Sequence, residues 1–138
     1  MSLFKVFDVA GSALNAQTLR LNTTSSNLAN ANSASSSTDQ VYRARQPVFA
    51  TMMSNEFEDD NGSVGVQVLG IVEKQEPARA EYNPGHPAAD DEGYVYMPNV
   101  NVIEEMANMI SASRSYQTNV EVMNTAKQMM MRTLSLGQ

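Results

Sequence analysis

The N-terminal stretch Leu3–Ala31, LFKVFDVAGSALNAQTLRLNTTSSNLANA, decides the fold because an apolar residue recurs in it at every seventh position. Phe7, Leu14, Leu21 and Leu28 hold this register over four repeats. A sustained seven-residue period predicts a helix that packs lengthwise against a partner helix. Many residues between these positions are Asn, Thr or Ser, which have modest helix propensity. We therefore predict a helix that is marginal alone and is stabilised by packing.

A second heptad pattern follows Pro98 and extends to the C-terminal end. Asn101 is a favourable N-cap residue, and Glu104 lies three positions later, where its side chain can reach back in a capping box. From Val102 to Leu134 the spacing of the pattern alternates between four and three residues. This spacing predicts a second long helix with its own apolar seam.

Methionines are concentrated in this second segment, which carries six of the ten in the chain. Met129, Met130 and Met131 are consecutive, so their side chains point around most of a helix. A buried core face accounts for part of the stripe. A helix that is apolar on several sides near its end is either buried on several sides or meets partners, and methionine adapts to contacts with non-identical neighbours.

The middle of the chain has a different character. Residues 30–38 form a polar run, NANSASSST, which predicts a flexible connection. Extended segments are predicted over 41–45, 47–52 and 64–72, separated by an acidic turn at 55–62. Residues 76–97 are predicted to be mostly loop, with a short extended piece at Tyr94–Tyr96. Gly62, Gly65 and Gly70 are interpreted as strand-end and bulge glycines.

These patterns predict an α+β fold. The two long terminal helices are expected to pair as an antiparallel coiled coil beside a small β-rich module. The predicted divisions are an N-terminal assembly helix at 1–32, a flexible linker at 33–40, an acidic β-rich module at 41–98 and a C-terminal assembly helix at 99–138.

Charge is distributed unevenly along the chain. The net charge of −6 lies entirely in 41–98, whereas 1–40 and 99–138 each sum to zero. Neutral ends can pack against copies of themselves without repulsion, and the absence of a basic patch argues against nucleic acid as a partner. There is no cysteine, no cleavable signal pattern and no apolar stretch of membrane-spanning length. We therefore expect no direct membrane insertion, and any export must use a route without a standard secretory peptide.

Two sites for chemistry can be tested against the sequence. The acidic turn suggests calcium, but a calcium loop aligned on Gly62 places Phe57 and Val68 where carboxylates are needed. His86 is the only histidine, and no serine lies in a nucleophile-elbow motif. His86 is better interpreted as part of a rigid turn between Pro84 and Pro87. We predict no cofactor, no metal and no catalytic residue.

Several motifs together resemble one family of assembling proteins. The run Ser25–Asn32, after a heptad helix, resembles the signature of the flagellar rod, hook and hook-associated axial proteins. Residues 82–87 (YNPGHP) and 98–101 (PNVN) look like the proximal-rod members of that family. The closing helix is similar through Ser115–Asn119 and Asn124–Lys127. The match covers nearly the whole chain, and its short length also fits the proximal rod.

The resemblance implies a structural subunit of a hollow helical rod that carries torque in the bacterial flagellar basal body. It implies a periplasmic location, export through the flagellar type III apparatus without a cleaved signal peptide, and assembly with copies of itself and other axial rod proteins. Membrane-ring and rod-junction components would be neighbours at the base. The alternative from the residues alone is a soluble coiled-coil adaptor or secretion chaperone that forms a closed oligomer.

The predicted assembly interface consists of the apolar residues of both heptad segments. They are Phe7, Leu14, Leu21, Leu28, Val102, Met106, Met109, Tyr116, Val120, Met123, Met129, Met130, Met131 and Leu134.

Overall fold

The computed structural model describes residues 3–52 and 64–136. Its elements, in chain order, are α1 (Leu3–Asn30), β1 (Arg45–Met52), β2 (Gly65–Glu73), β3 (Arg79–Tyr82), β4 (Tyr94–Met97) and α2 (Val102–Leu136). Helices and small antiparallel sheets are segregated along the chain, which confirms the predicted α+β class. The predicted acidic turn, the calcium alternative and Gly62 lie outside the described residues.

Helix α1 forms although its sequence is rich in hydroxyl and amide side chains. The hydroxyls of Thr18 and Thr23 each donate to the carbonyl one turn earlier, at 2.8 Å. Their polar groups are therefore satisfied within the helix. Three of the four positions that lie three residues after the apolar heptad residues, Ala10, Thr24 and Ala31, are buried, and the fourth, Gln17, is half-buried. Small side chains at the three buried positions let α1 approach its neighbours closely.

Helix α2 begins as the capping residues predict, with one difference. The Asn101 side-chain oxygen accepts hydrogen bonds from the backbone N–H groups of Ile103 (3.1 Å) and Glu104 (3.3 Å). The Glu104 carboxylate does not complete a capping box. It pairs with the Lys74 ammonium group at 3.4 Å, because a nearby cation attracts a carboxylate more strongly than a neutral N–H group does.

The face that α2 turns inward differs from the predicted seam at alternate positions. Glu105, Ala112 and Ala126 are buried, and these positions lie one residue before Met106, Ser113 and Lys127 of the predicted pattern. Of the other seam positions, Met109, Met123 and Met130 are half-buried as expected, whereas Val102 and Tyr116 are exposed. The helix is therefore rotated so that alanines, and not large residues, face α1, with which it packs.

The β1–β2 hairpin pairs Arg45 with Glu73 and Met52 with Gly65. The register shifts after Val48, so Leu69 is the extra residue of a bulge beside Gly70. The prediction that Gly65 ends a strand and Gly70 marks a bulge is confirmed. β1 begins only at Arg45. The extended segment predicted over 41–45 is wrong except at its last residue, because Ala44 donates its N–H to the Asn99 side chain and not to a ladder.

The β3–β4 hairpin pairs Arg79 with Met97 and Tyr82 with Tyr94. β4 confirms the extended piece predicted at Tyr94–Tyr96. β3 corrects the prediction of loop over its four residues, which are all exposed and show no apolar alternation. On its other side, β4 meets Ser35 of the predicted linker. The Ser35 and Tyr96 backbones exchange two hydrogen bonds of 2.9 Å.

Candidate assembly surface

Asn27 joins α1 to the first strand. Its side-chain N–H donates to the Arg45 carbonyl at 2.8 Å, and its oxygen accepts from the Arg45 N–H at 2.9 Å and from the Tyr42 hydroxyl at 2.9 Å. Asn27 is only 1% exposed, the largest fully buried side chain in the described residues. The Asn27 amide thus binds the two backbone groups of Arg45 that a neighbouring strand would otherwise bind. Burial is also the main cause that raises the pKa of Tyr42 above 10.0.

Asn99 joins the start of α2 to both strands of the first hairpin. Its oxygen accepts from the Ala44 N–H at 2.8 Å, and its N–H₂ group donates to the carbonyls of Lys74 (3.2 Å) and Glu76 (2.8 Å). All of these are backbone groups, so the side chain acts as a bridge between chain segments distant in sequence. Asn27 and Asn99 together hold the hairpin at the junction of the two helices.

Two further polar contacts fix the helices in place. The Ser12 hydroxyl donates to the Val9 carbonyl at 2.8 Å and accepts from the Val66 N–H at 3.0 Å, which ties α1 to the start of β2. The Arg20 guanidinium donates to the Asn108 side chain at 2.9 Å, which links α1 to α2. The inner contacts of the chain are therefore built largely from polar side chains of defined geometry.

The turn between β3 and β4 depends on Asp90. Its carboxylate accepts from the N–H groups of Tyr94 (2.8 Å) and Glu92 (3.0 Å) and from the Tyr96 hydroxyl (3.1 Å). The Tyr94 bond is the main cause that lowers the pKa of Asp90 below 3.8. The same carboxylate, by accepting the hydroxyl proton of Tyr96 in a hydrogen bond, raises the pKa of Tyr96 above 10.0.

His86 lies in the preceding turn as the sequence predicts. Its backbone N–H donates to the Asn83 carbonyl at 3.1 Å, and its ring Nδ1 accepts from the Ala88 N–H at 3.1 Å. The ring therefore stabilises the turn between Pro84 and Pro87.

Large apolar side chains contribute little to the interior. Within 3–52 and 64–136, the buried apolar residues are six alanines, two valines and Pro98. The predicted interface residues of α1, Phe7, Leu14, Leu21 and Leu28, are each half-buried. Because no large apolar side chain in these two ranges is fully buried, they gain less from the hydrophobic effect than a compact domain does.

α2 carries two patches of exposed apolar residues, one near its start and one at its end, where the residues lie on more than one side of the helix. The first, here called the near patch, comprises Ile103, Met106 and Ile110, of which Ile103 is 80% exposed. The second, the far patch, comprises Met129, Met131 and Leu134, of which Leu134 is 73% exposed. About 20 helical residues separate them, which corresponds to roughly 30 Å. Contiguous exposed apolar residues mark protein-interaction sites.

Some of the predicted interface residues of α2 are exposed and others are half-buried. Val102, Met106, Tyr116, Met129, Met131 and Leu134 are exposed, whereas Met109, Val120, Met123 and Met130 are half-buried. Met129 and Met131 lie on either side of Met130, so the helix end is apolar and accessible on two sides, as the consecutive methionines predict.

Some exposed apolar residues were missed by the seam pattern. Phe4 is 72% exposed, and Ile103, Ile110 and Val122 are exposed on α2. All four lie off the predicted seams, and an apolar residue off a heptad seam is itself a signal of a second contact face. Within the described residues, neither helix combines the length and the apolar character that crossing a bilayer requires.

The extent of the exposed surface also indicates that this chain has a protein-interaction surface. The chain exposes 9690 Å², whereas a compact monomer of 15.1 kDa would expose about 7,100 Å². The difference of about 2,600 Å² exceeds the ~1,600 Å² that a standard protein interface buries in total.

Comparison with known proteins identifies the family of this chain. Residues 7–34 match the family described as "Flagella basal body rod protein", and residues 91–136 match "Flagellar basal body rod FlgEFG protein C-terminal". The chain is 51% identical to the flagellar basal-body rod protein FlgC of Salmonella typhimurium and 52% identical to that of Escherichia coli O157:H7, over the full length of both chains. It is 37% identical to the FlgC of Borreliella burgdorferi over all of this chain and 99% of the relative. The chain belongs to the flagellar basal-body rod protein family.

Family membership settles the class of function. Proteins of the flagellar basal-body rod family are structural and not enzymes, so this chain is a structural rod subunit located in the flagellum basal body, and the prediction that it is not an enzyme is confirmed. The two matched ranges contain Asn27 and Asn99 respectively. The side chains that join the helices to the hairpin therefore lie within the two matched ranges.

Proposed function

We propose that this rod subunit polymerises through its terminal helices into the hollow helical shaft of the proximal rod, which transmits torque and lets export substrates pass. The observation that carries the proposal is the pair of apolar patches on α2, which are about 30 Å apart and leave large side chains such as Ile103 and Leu134 in water. Two distinct patches on one chain suit heterologous contacts, and heterologous contacts that do not close generate helical polymers.

The two helices are proposed to pair as an antiparallel coiled coil. Arg20, in the second half of α1, binds Asn108 near the start of α2. Tyr42, which donates to Asn27 near the end of α1, is close enough to Glu105 for that carboxylate to contribute to its raised pKa. Later residues of α1 therefore lie beside earlier residues of α2, which is the order that antiparallel helices have.

The subunit is also proposed to travel unfolded and to become rigid on assembly. Its interior is small and consists mainly of alanines with a few polar side chains, so the isolated chain has little apolar burial to offset the conformational entropy of ordering two long helices. Neighbouring subunits would supply that burial at both patches. This behaviour suits passage through the flagellar type III export apparatus without a cleaved signal peptide, followed by assembly in the periplasmic space.

The proposed partners follow the same division of the chain. The terminal helices, residues 1–32 and 99–138, would contact copies of this chain and other axial rod proteins. At the base of the rod, membrane-ring and rod-junction components would be the neighbours. The acidic module at 41–98 would lie outside the inner shaft, where its charge favours water.

Two experiments test this proposal. Deletion of residues 1–20 or 120–138 should abolish motility and leave isolated basal bodies without this subunit; normal motility of either strain would contradict the proposal. Light scattering of the purified chain at rising concentration separates the remaining alternative, because a closed adaptor or chaperone oligomer reaches a fixed mass and an open polymer does not.

A further inference from the structure

The four strands of this chain present edges that are not equivalent. At the outer edge of β1, both backbone polar groups of Arg45 are bonded to Asn27, and Pro47 has no N–H to offer. At the outer edge of β4, the Tyr96 backbone is bonded to Ser35. Both edges are therefore closed to another strand at these residues.

The edge of β2 is closed at one end and open at the other. Near its start, the Val66 N–H donates to Ser12 of α1. Near its end, Lys74 donates its N–H to Ala44 on the β1 side. Because the direction of backbone groups alternates along a strand, the groups of Ile71 point away from β1. The segment Leu69–Glu73 thus has an outward edge in the described residues, occupied only where the Glu73 carbonyl accepts from the exposed Gln75 side chain at 3.2 Å. Three of its side chains, Leu69, Ile71 and Val72, are exposed and apolar.

Among the residues that the structure describes, nothing pairs with the outer edge of β3. Tyr96 uses its backbone groups to bind Ser35, so its partner Ala80 does not bond to β4. The alternation then turns the N–H and C=O groups of Ala80 and Tyr82 outward. All four residues of β3 are exposed, and Tyr82 is 66% exposed. Unpaired edges of this kind are templates for pairing with another chain.

We propose that β3 of one subunit adds to the Leu69–Glu73 edge of β2 in a second copy of this chain. The inference rests on the proposed polymerisation of the subunit. The two open edges are different surfaces, so the contact is heterologous and does not close on itself, as a helical polymer requires. β2 paired with β2 would instead form a closed two-fold dimer.

The lengths and charges of the two edges agree with the proposed pairing of β3 with β2. The open segment of β2 has five residues and β3 has four, so the two edges match in extent. β3 carries Arg79 and Glu81, and the end of β2 continues through Glu73 and Lys74. Each partner contributes one charge of each sign, so the contact adds no net repulsion. Main-chain hydrogen bonds provide affinity in strand addition of this kind, and exposed side chains provide register.

The absence of native cysteine allows a direct test by cross-linking between two chains. Cells are made to co-express a chain with Ile71→Cys or Val72→Cys and a mass-tagged chain with Ala80→Cys or Glu81→Cys. Basal bodies are isolated and oxidised with copper phenanthroline in air. A disulfide requires Cα atoms about 4.4–6.8 Å apart. With one cysteine in each chain, any bond joins two copies.

A covalent heterodimer of tagged and untagged chains is expected from at least one of the four combinations. Each single-cysteine chain expressed alone should give none, and Phe49→Cys on β1 paired with Ala80→Cys serves as the matched control. Motile cells whose basal bodies give no heterodimer in any combination would overturn the inference and leave the proposed function standing. Absence of the wild-type subunit from isolated rods would instead overturn the proposed function.

A proline variant provides a second readout. Ala80→Pro removes an outward N–H that the folded chain does not use internally, so the hairpin should be retained. We expect loss of motility, whereas Ala80→Ser, which keeps the N–H, should swim normally. Normal swimming of Ala80→Pro cells would overturn the inference. If circular dichroism shows that Ala80→Pro unfolds the hairpin, the cross-linking result decides.

Discussion

The side-chain amide of Asn27 binds both backbone polar groups of Arg45, donating to the carbonyl at 2.8 Å and accepting from the N–H at 2.9 Å. The amide thereby occupies the place of a paired strand and fixes the hairpin against α1. This anchor and the turn of the second hairpin lead to three predictions, and the exposed apolar surface leads to two more.

Asn27→Ala should loosen the start of β1, because it leaves the N–H and C=O of Arg45 without the partners that the buried Asn27 amide gives them. Leaving such a group unbonded costs about 1–3 kcal/mol. Amide hydrogen exchange of a peptide covering 42–48 should therefore accelerate roughly tenfold or more. Asn22→Ala, an exposed change on the same helix, is the matched control. Equal exchange rates in the two variants would contradict the anchoring role.

Gly93→Ala should weaken the turn between β3 and β4. Gly93 has a φ of +83°, and an added Cβ would lie 3.0 Å from the ring of Tyr82 and 3.1 Å from Cβ of Pro84. Both effects oppose any side chain, and together they should cost about 1–3 kcal/mol. Gly85→Ala is the control, since its Cβ would meet only Asn83 at 3.9 Å. The near-ultraviolet circular dichroism of the Tyr82–Tyr94 ring pair, which is edge-to-face at 5.4 Å, should diminish in Gly93→Ala alone.

The stability of this hairpin should depend on pH at both extremes. The folded pKa of Asp90 lies below 3.8, so its contribution is present above pH 3.8 and is lost as pH falls through the lowered folded value. The folded pKa of Tyr96 lies above 10.0, so its contribution is present below pH 10.0 and is lost as pH rises through the raised value. An NMR titration of the Asp90 carboxyl should have its midpoint below 3.8.

Two variants check the cause of this pH dependence. Tyr96→Phe removes one donor and should move the Asp90 midpoint upward. Tyr116→Phe removes the hydroxyl of an exposed tyrosine on α2 and is the matched control, which should leave the midpoint unchanged. An Asp90 midpoint at or above 3.8 in the wild type would show that the backbone bonds do not act as described.

Ile103→Asp should prevent assembly without changing the fold of the isolated chain. Ile103 is 80% exposed, so a carboxylate there is solvated in the monomer but would be buried at a subunit contact, which is costly when unpaired. Motility on soft agar should be lost while the circular dichroism spectrum stays unchanged. Ser111→Asp, also exposed on α2, is the control and should swim. Normal motility of Ile103→Asp cells would exclude the near patch from the contact.

The sequence predicts the long elements of this fold well, because each has a periodic pattern of apolar residues. The heptad of α1, the N-cap Asn101 of α2 and the glycine beside the β2 bulge all follow from local rules. β3 was missed because its residues, RAEY, carry no alternation, and only pairing with β4 makes them a strand.

The candidate surface was predictable only in part, for a related reason. A heptad identifies which residues are apolar, but burial of Ala112 and Ala126 in place of larger residues depends on how closely α1 approaches. The exposure of Ile103 and Ile110 follows from that rotation. Asn27 and Asn99 were not identified as anchors, since a lone amide in a polar run gives no sign of the backbone groups that it will bind.

The central claim is that neighbouring subunits cover the exposed apolar side chains of α2 in the rod. Methionine oxidation measures this directly, because peroxide converts an accessible thioether to the sulfoxide and the product is quantified by mass spectrometry. Met106, Met129 and Met131 are all exposed in the single chain. Their oxidation should be at least about tenfold slower in isolated basal bodies than in the purified subunit, because a packed interface keeps peroxide away from the buried sulfur atoms. Equal oxidation rates in the rod and in the free chain would contradict the account.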